Sequence, residues 1–308
     1  METLTDKVQF LKKDQQFVRI ADEVSSDNGD IILIIANKGV QLLVENLLKS
    51  LENIGLKNVL LVALDEQIHS SLESKCITFY SDILDSSVGY LSQNDYEFYL
   101  LTKYKFIPLL ALLELGYNVL FTDADVALFQ NPFPYLSGDA DVVIQYGQGE
   151  ITNYEEYMQT GQPMGDMGDR YQFMCTGFFY TRRTHSAIIF FQEVFKVLES
   201  KYLEHSHDQD ILNEVYKKNP SIISVEVFDP LVFPNGGIFK STSLFNNQVK
   251  STMVMLHANY YTGLKSKVEL LYEAGGWYLS PFRSFFILIL KLRLRKFLQK
   301  VKGLNKLL

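Results

Sequence analysis

Two acidic residues separated by one small residue form the pattern with the clearest chemical meaning in this 308-residue chain. Asp123 and Asp125 follow Val119-Leu120-Phe121, an apolar run typical of a buried strand. In extended chain, residues i and i+2 point the same way, so both carboxylates should project from the strand's carboxyl end, where open α/β sheets bind ligands. Close carboxylates repel each other unless a cation lies between them or one is protonated. The pair therefore indicates a Mg²⁺ or Mn²⁺ site that would also hold a diphosphate, although a solvated turn explains the tripeptide equally well.

Two more polar groups follow apolar segments. Asp208 and Gln209 open a predicted helix with an acidic first turn, and His257 follows a strand-like run at residues 253–256. Imidazole is a good ligand for Mn²⁺, so His257 could complete a site begun by the two aspartates. A structural histidine satisfied by its neighbours is the alternative. The other histidines, His69, His185, His205 and His207, have no comparable setting.

The elements that must position these groups follow a β-α-β pattern. Residues 31–35 and 59–64 are predicted strands on either side of a helical repeat at residues 42–51, and the right-handed crossover makes the strands parallel. Asn37 follows the first strand, which suits either a base or ribose contact or a simple helix-entry turn. Residues 107–115 predict a buried helix that ends at Gly116. No glycine-rich phosphate-binding fingerprint occurs in the sequence.

The second half of the chain predicts two more strands and a loop over the site. The strands are residues 141–144 and 173–180, and Gly177 within the second one indicates close approach by a ligand or another backbone. Residues 148–170 are polar, irregular and long enough to be a substrate lid. We expect a lead-in at residues 1–26, one catalytic domain at 27–281 and a basic tail at 282–308.

Charge divides the chain unevenly. Its net charge is −7, yet the residues from Pro281 onward include eight basic side chains and no acidic one. The acidic remainder argues against nucleic-acid binding. The tail reads as a basic amphipathic helix at a membrane surface, or as a helix packed on the acidic body or on another copy of the chain. Two unpatterned cysteines, no signal peptide and no stretch of about 20 apolar residues favour a cytoplasmic protein. The tail at residues 282–308, if it binds a membrane, would place the protein peripherally on the cytosolic face.

Five short motifs in a fixed order carry a family resemblance that covers residues 30–278. They are the segment 115–126 with Lys105 before it, Asn131-Pro132-Phe133, Thr176-Gly177-Phe178, Asp208-Gln209, and residues 233–236 with the run from His257 to Trp277. In this order they resemble the nucleotide-diphospho-sugar transferase family, which includes plant rhamnogalacturonan xylosyltransferases. The resemblance implies a GT-A fold: an α/β domain with a Rossmann-like mixed sheet flanked by helices. It also implies transfer of xylose, galactose or a similar sugar from a UDP-sugar to a glycan or glycoconjugate, with retention and with Mn²⁺ or Mg²⁺.

The resemblance also assigns roles to individual residues. Asp123, Asp125 and His257 match the family's metal ligands, and Asp208 and Gln209 match groups beside the donor's anomeric carbon. The implied nucleotide-sugar contacts are Lys105, Asp123, Ala124, Gly263 and Lys267, and Asn37 is a further candidate because of its place after the first strand. Lys267 would bind the diphosphate, with Lys265 as the alternative.

One position departs from the family pattern. Cys175 stands where the family usually has asparagine, and a thiol cannot make the amide's hydrogen bonds to a sugar. This leaves a GT-A-fold binding module without catalysis as an alternative. A haloacid-dehalogenase-type phosphatase with Asp123 as nucleophile is a weaker one, because that motif normally lies on the first strand and its downstream partners are missing.

Overall fold

The computed structural model describes residues 3–84, 101–136, 138–151, 174–200, 206–241 and 251–280. Most of the predicted lid at 148–170 and all of the predicted tail at 282–308 lie outside the described residues. None of the helices that the structure describes has the length and apolar character needed to span a bilayer.

Within the described residues, a mixed sheet has the order β3-β2-β1-β4-β7-β6-β8. Its strands are β1 (Asp30–Ala36), β2 (Val59–Ala63), β3 (Ile77–Tyr80), β4 (Asn118–Thr122), β6 (Val142–Tyr146), β7 (Met174–Thr181) and β8 (Val225–Val227). The first four run parallel, as the β-α-β pattern predicts, and β7 is antiparallel to both of its neighbours. Two short strands, β5 (Val126–Leu128) and β9 (Met255–His257), form a separate antiparallel pair.

Helices cover both faces of this sheet. They are α1 (Leu4–Lys13), α2 (Gln15–Val24), α3 (Gln41–Asn53), α4 (Glu66–Leu72), α5 (Phe106–Leu115), α6 (His185–Ser200), α7 (Asp208–Lys218), α8 (Gly236–Ser241) and α9 (Leu264–Glu273). Ile31 and Leu33 of β1 pack with α1, α2, α5, α6 and α7, whereas Ile32 and Ile34 pack with α3, α4 and α9. Strands buried on both faces have to be apolar at every position, which explains the continuous runs in the sequence.

The helix predicted before β4 is confirmed: α5 covers Phe106–Leu115. Phe106 to Leu113 are all buried, because α5 lies between the sheet, α1 and α6. Gly116 ends the helix with φ at 97°, a left-handed conformation that glycine adopts without steric cost. The chain can then turn directly into β4, which leads to the two aspartates.

The lead-in at residues 1–26 contains α1 and α2. The Thr3 side chain accepts the Asp6 N–H at 3.1 Å, and the Asp14 carboxylate accepts the Phe17 N–H at 2.8 Å, so each helix has a capped start. α1 lies against α5, and Phe17 of α2 contacts Phe79 of β3 edge to face. Both helices therefore contribute to the core beneath the first half of the sheet.

Helix α3 braces the two segments that flank the site. Asn46 is fully buried; its Nδ2 donates to the Gly276 carbonyl at 2.9 Å and its Oδ1 accepts the Tyr278 N–H at 2.7 Å. One turn later the Ser50 hydroxyl accepts the Leu128 N–H of β5 at 3.2 Å. The chain after α9 and the strand after Asp125 are thus fixed to the same helix.

Replacing Asn46 with leucine should lower the free energy of unfolding by about 2 to 4 kcal/mol, because one buried and one partly buried backbone group would lose their partner. Urea denaturation monitored by circular dichroism would measure this loss. Lys49→Ala on the same helix is the matched control; it removes only a surface ion pair with Glu52 and should change the value by less than about 0.5 kcal/mol. Equal stability of both variants would contradict the role given to Asn46.

Candidate active site

Polar side chains from several elements meet at one edge of the sheet. The carboxyl ends of β1, β4 and β6 and the amino end of the antiparallel β7 share this edge, and a cavity of about 460 Å³ opens there. Its wall includes Asn37 after β1, Asp123 after β4, Cys175 on β7, and His257 and Lys267 from later in the chain. The cavity lies where a sheet of this type binds its ligand.

The two aspartates lie in a tight turn, so the prediction that they stand in extended chain was wrong. The Val126 N–H donates to the Asp123 carbonyl at 3.3 Å, which closes the turn between β4 and β5. The turn is needed because β5 leaves the main sheet to pair with β9, where Val126 stands opposite His257. The Ala258 N–H also donates to the Asp125 carbonyl at 2.9 Å. Short-strand pairing therefore brings the histidine beside both carboxylates.

Asp123, Asp125 and His257 form a group of possible metal ligands. Nε2 of His257 lies 3.3 Å from Asp125 Oδ1 and 3.8 Å from Asp123 Oδ2. One ligand atom from each residue lies within 4.8 Å of the other two. Two carboxylate oxygens and one imidazole nitrogen are a donor set suited to Mn²⁺ and, less well, to Mg²⁺. The residues therefore fit a divalent cation.

A glutamine fixes the orientation of the histidine ring. Gln145, fully buried near the end of β6, donates from Nε2 to the Phe233 carbonyl at 3.2 Å, which turns its Oε1 toward His257 Nδ1 at 2.8 Å. Because Oε1 can only accept, Nδ1 must carry the hydrogen, and Nε2 is the nitrogen that faces the carboxylates. The sequence analysis missed Gln145, although it follows an apolar run just as Asp123 does.

Opposite charges balance within this group. Burial raises the pKa of Asp125, but Lys267 Nζ, which donates to Asp125 Oδ2, and His257 outweigh it and bring the pKa well below its usual range. Burial lowers the pKa of His257, yet the Asp125 carboxylate reverses this and raises it to about 10. Burial raises the pKa of Asp123 although Lys105 and His257 lower it, and repulsion by Asp125 and Asp208 adds to the rise. A divalent cation between the carboxylates would remove that repulsion.

A second charged group lies beside the first. Lys105, which immediately precedes α5, is buried, and its Nζ lies 2.9 Å from Asp208 Oδ2, 3.4 Å from Asp123 Oδ1 and 3.2 Å from the Thr176 carbonyl. The Thr176 hydroxyl donates to Asp208 Oδ2 at 2.7 Å. Burial opposes both charges, but the carboxylates of Asp123 and Asp208 keep the pKa of Lys105 above its ordinary value. Lys105 and the Thr176 hydroxyl in turn keep the pKa of Asp208 below its ordinary value. Asp208 is therefore an ionised carboxylate that faces the cavity.

The structure brings nearly all of the predicted site residues together. Asn37, Ala124 and Gln209 line the same cavity, and Asn37 Oδ1 also accepts the Gly39 N–H at 3.1 Å in a helix-entry turn. Gly263 begins α9 with φ at 87° and is not part of the cavity wall. Lys267, one helical turn later, reaches the site.

The structure also shows where the other lysine, histidine and cysteine residues of interest lie relative to the cavity. Lys265 pairs with Glu269 at 3.5 Å and is largely exposed, so it faces away from the cavity. His207 lines the cavity just before α7, and His205 lies outside the described residues. The Cys175 Sγ contacts Nδ1 of His257 and Nδ2 of Asn259, each at 3.7 Å.

Gly177 on β7 allows the histidine to lie against the strand. A Cβ atom at this position would lie 2.1 Å from His257 Cε1 and 2.7 Å from Asp123 Oδ2, closer than atoms can approach. The Gly177 carbonyl also accepts the Asp123 N–H at 2.7 Å. A close approach at this glycine was predicted and is found, but the approaching groups are the side chains of His257 and Asp123 rather than a ligand or another backbone.

Comparison with known proteins found a matching family and several similar proteins. The model of the family described as nucleotide-diphospho-sugar transferase matches residues 54–271. Arabinosyltransferase RRA2 of Arabidopsis thaliana is 30% identical over 268 residues, which are 82% of this chain and 60% of that protein. A UDP-D-xylose:L-fucose alpha-1,3-D-xylosyltransferase of the same plant is 27% identical over 63% of this chain and 53% of its own length. The chain thus spans little more than half of these relatives.

The chain is also similar to a second transferase sequence from another organism and to a solved structure. A UDP-galactose:fucoside alpha-3-galactosyltransferase of Dictyostelium discoideum is 25% identical over 70% of this chain and 34% of that protein. The solved apo structure of the bifunctional glycosyltransferase WbbM aligns with a TM-score of 0.52 at 15% identity, over 83% of this chain and 51% of that one. At such low identity the likeness concerns the fold. The GT-A fold expected from the sequence is confirmed.

Replacing Gly177 with alanine should lower the free energy of unfolding by about 1 to 3 kcal/mol, because the new methyl group overlaps the His257 ring. Chemical denaturation would measure the change. The double variant Gly177→Ala/His257→Ala should be less destabilised than the sum of the two single variants, because the clashing ring is gone. Simple additivity in this double-mutant cycle would show that the contact is unimportant.

Proposed function

The chain belongs to the nucleotide-diphospho-sugar transferase family, and on this basis we propose that it transfers a sugar from a UDP-sugar to a glycan or glycoconjugate acceptor with retention of configuration. The observation that supports the proposal most is the convergence of Asp123, Asp125, His257, Lys105 and Lys267 on one cavity at the carboxyl edge of the sheet. Carboxylates, an imidazole and two ammonium groups suit a diphosphate and a cation together. They would not suit an apolar ligand.

Asp123, Asp125 and Nε2 of His257 would hold the divalent cation. Bound there, Mn²⁺ or Mg²⁺ would offset the negative charge that UDP gains as it leaves. Lys267 would contribute to the same task, because its ammonium group lies at the cavity wall beside Asp125. A positive charge placed where negative charge develops lowers the barrier to leaving-group departure.

The nucleoside would lie at the β1 end of the cavity. Ile35, Val40 and Leu43 line this part of the wall together with Asn37. Apolar side chains can cover the faces of a base, and an amide can exchange hydrogen bonds with a base edge or a ribose hydroxyl. No glycine-rich loop is needed, because the phosphates would be held by side chains from the β4–β5 turn and α9.

Asp208 and Gln209 would lie next to the donor sugar. Lys105 and the Thr176 hydroxyl hold the Asp208 carboxylate in one position, and the lowered pKa keeps it ionised near neutral pH. A fixed negative charge near the anomeric carbon would stabilise the positive charge that develops there when the bond to UDP breaks. Lys105 is a positioning residue in this arrangement as well as a possible donor contact.

The donor and acceptor follow from the relatives only as hypotheses. Their names include an arabinosyl-, a xylosyl- and a galactosyltransferase, two of which act on fucose or a fucoside. We propose a pentose or galactose as the transferred sugar. Cytosolic location and membrane contact through residues 282–308 stay predictions.

Asp125→Asn should remove the Mn²⁺-dependent part of UDP binding, because a ligand oxygen loses its charge. Thermal unfolding with UDP or each UDP-sugar, with and without Mn²⁺, would measure this, since a ligand of the folded state raises the melting temperature by mass action. The wild-type protein should shift most with its own donor, and turnover by Asp125→Asn should fall at least about 100-fold. Glu52→Gln, an exposed carboxylate on α3, is the control and should behave as wild type.

The same experiment separates the alternatives. A Mn²⁺-dependent shift with UDP but no hydrolysis or transfer of any UDP-sugar would favour the non-catalytic binding module, and Cys175→Asn would then be the variant to test. Full turnover by Asp125→Asn would refute the metal assignment.

Gln145→Leu should weaken Mn²⁺ binding about 10- to 100-fold, because the His257 ring would lose the acceptor that fixes its orientation. Gln145→Glu is the matched control: its carboxylate can still accept from Nδ1 and should preserve Mn²⁺ affinity better than leucine does. Isothermal titration of the metal alone gives both values without relying on catalysis. Identical Mn²⁺ affinity in the leucine variant and the wild type would exclude the positioning role.

A further inference from the structure

Tyr260 has an unusual backbone and an unusual exposure. Tyr260 is the one non-glycine residue with a positive φ, 63°, among the residues that the structure describes. Its side chain is 55% exposed, yet it lines the same cavity as the metal-ligand group. Left-handed backbone at a bulky residue costs free energy, and such conformations concentrate at functional sites.

The hydroxyl and one face of the Tyr260 ring are fixed. The hydroxyl donates to the Gly147 carbonyl at 2.6 Å. A Cβ atom on Gly149 would lie 3.1 Å from the ring's Cε1 and 3.3 Å from its Cζ, so the ring packs directly over that glycine. The half of the side chain that remains exposed must therefore belong to the opposite face and edge. The result is a flat aromatic surface, held in place before any ligand arrives.

The position of Tyr260 along the sheet edge indicates what this surface could bind. From β1 the strands follow in the order β4, β7 and β6, and Gly147 comes directly after β6. Neighbouring strands are about 4.8 Å apart, so Gly147 stands about 14 Å across the edge from the end of β1. A nucleotide sugar with its base at β1 and its diphosphate at β4 would place its sugar near β7. The next group along this line would meet the Tyr260 ring.

We propose that the exposed face of Tyr260 is a platform for the sugar ring of the acceptor. The inference rests on the proposed transferase function and adds a binding site for the second substrate. The face of an aromatic ring is negative and attracts the weakly positive C–H bonds on one side of a sugar ring. A ring already fixed by its hydroxyl and by Gly149 loses little conformational entropy when the sugar binds.

The test uses three variants. Tyr260→Asn removes the ring with a residue that tolerates the left-handed conformation, and Tyr260→Phe keeps the ring but loses the bond to Gly147. Tyr272→Asn is the matched control, since Tyr272 is a 65% exposed tyrosine on α9 away from the cavity. Saturation-transfer NMR with methyl glycosides of fucose, galactose and xylose measures sugar binding without turnover. Titration of UDP in the presence of Mn²⁺ measures donor-site binding separately.

We expect saturation transfer to at least one methyl glycoside, reduced at least fivefold in Tyr260→Asn and largely retained in Tyr260→Phe and Tyr272→Asn. Once a donor sugar is known, kcat/KM for the acceptor should fall at least tenfold in Tyr260→Asn, while the Kd for UDP changes less than twofold. Equal saturation transfer in Tyr260→Asn and wild type, or none in the wild type, overturns the platform. Ring-dependent sugar binding by a protein that binds no UDP would sustain the platform and refute the transferase.

Discussion

The neutralisation of buried carboxylates is the constraint on which this site depends. Asp125 and Asp208 are each almost entirely buried, and an unpaired charge in such a place costs several kcal/mol. Each is paired with a cation from a distant part of the chain: Asp125 with Lys267 and His257, and Asp208 with Lys105. The turn after β4 must therefore meet α9 and the end of β9, and the start of α7 must meet Lys105, or a buried carboxylate is left without its partner. The same demand assembles a polar cavity on an otherwise apolar sheet.

Much of this arrangement could be predicted from the sequence, because strand ends are visible in it. Asp123 follows an apolar run, and parallel strands place the residues that follow them along one edge. His257 also ends an apolar run, but it reaches the site through β9, which pairs with β5 outside the main sheet. The conformation of the aspartate turn could not be predicted, since it depends on β5 and β9, which have three residues each and too little pattern to reveal that they pair. Gln145 was missed for a different reason. A single glutamine after a strand has no chemistry of its own, and its role exists only through the ring that it holds.

The choice between the two lysines of α9 shows where the sequence stops being decisive. Lys265 and Lys267 both lie close to Gly263 in the sequence, and as two lysines they cannot be distinguished by residue type. Only the helix start does: with Gly263 immediately before the first helical residue, position 267 lies one turn on and faces Asp125, whereas position 265 faces solvent and Glu269. An error of two residues in the start of this helix would have reversed the assignment. The positive φ of Tyr260 could not be predicted either, because the residues around it in the sequence give no sign of a left-handed conformation.

The order of the strands also affects how copies of the chain meet one another. In the described part of the sheet, the two outermost strands are β3 and β8, with four and three residues, and β8 carries an exposed glutamate at its centre, Glu226. Unpaired edges invite a second sheet to add its own strand, and short or charged edges discourage this. The longer strands β1 and β7 could pair with another sheet more readily, but each has a neighbouring strand on both sides. In the part of the sheet that the structure describes, buried apolar central strands are thus combined with edges that discourage edge-to-edge aggregation.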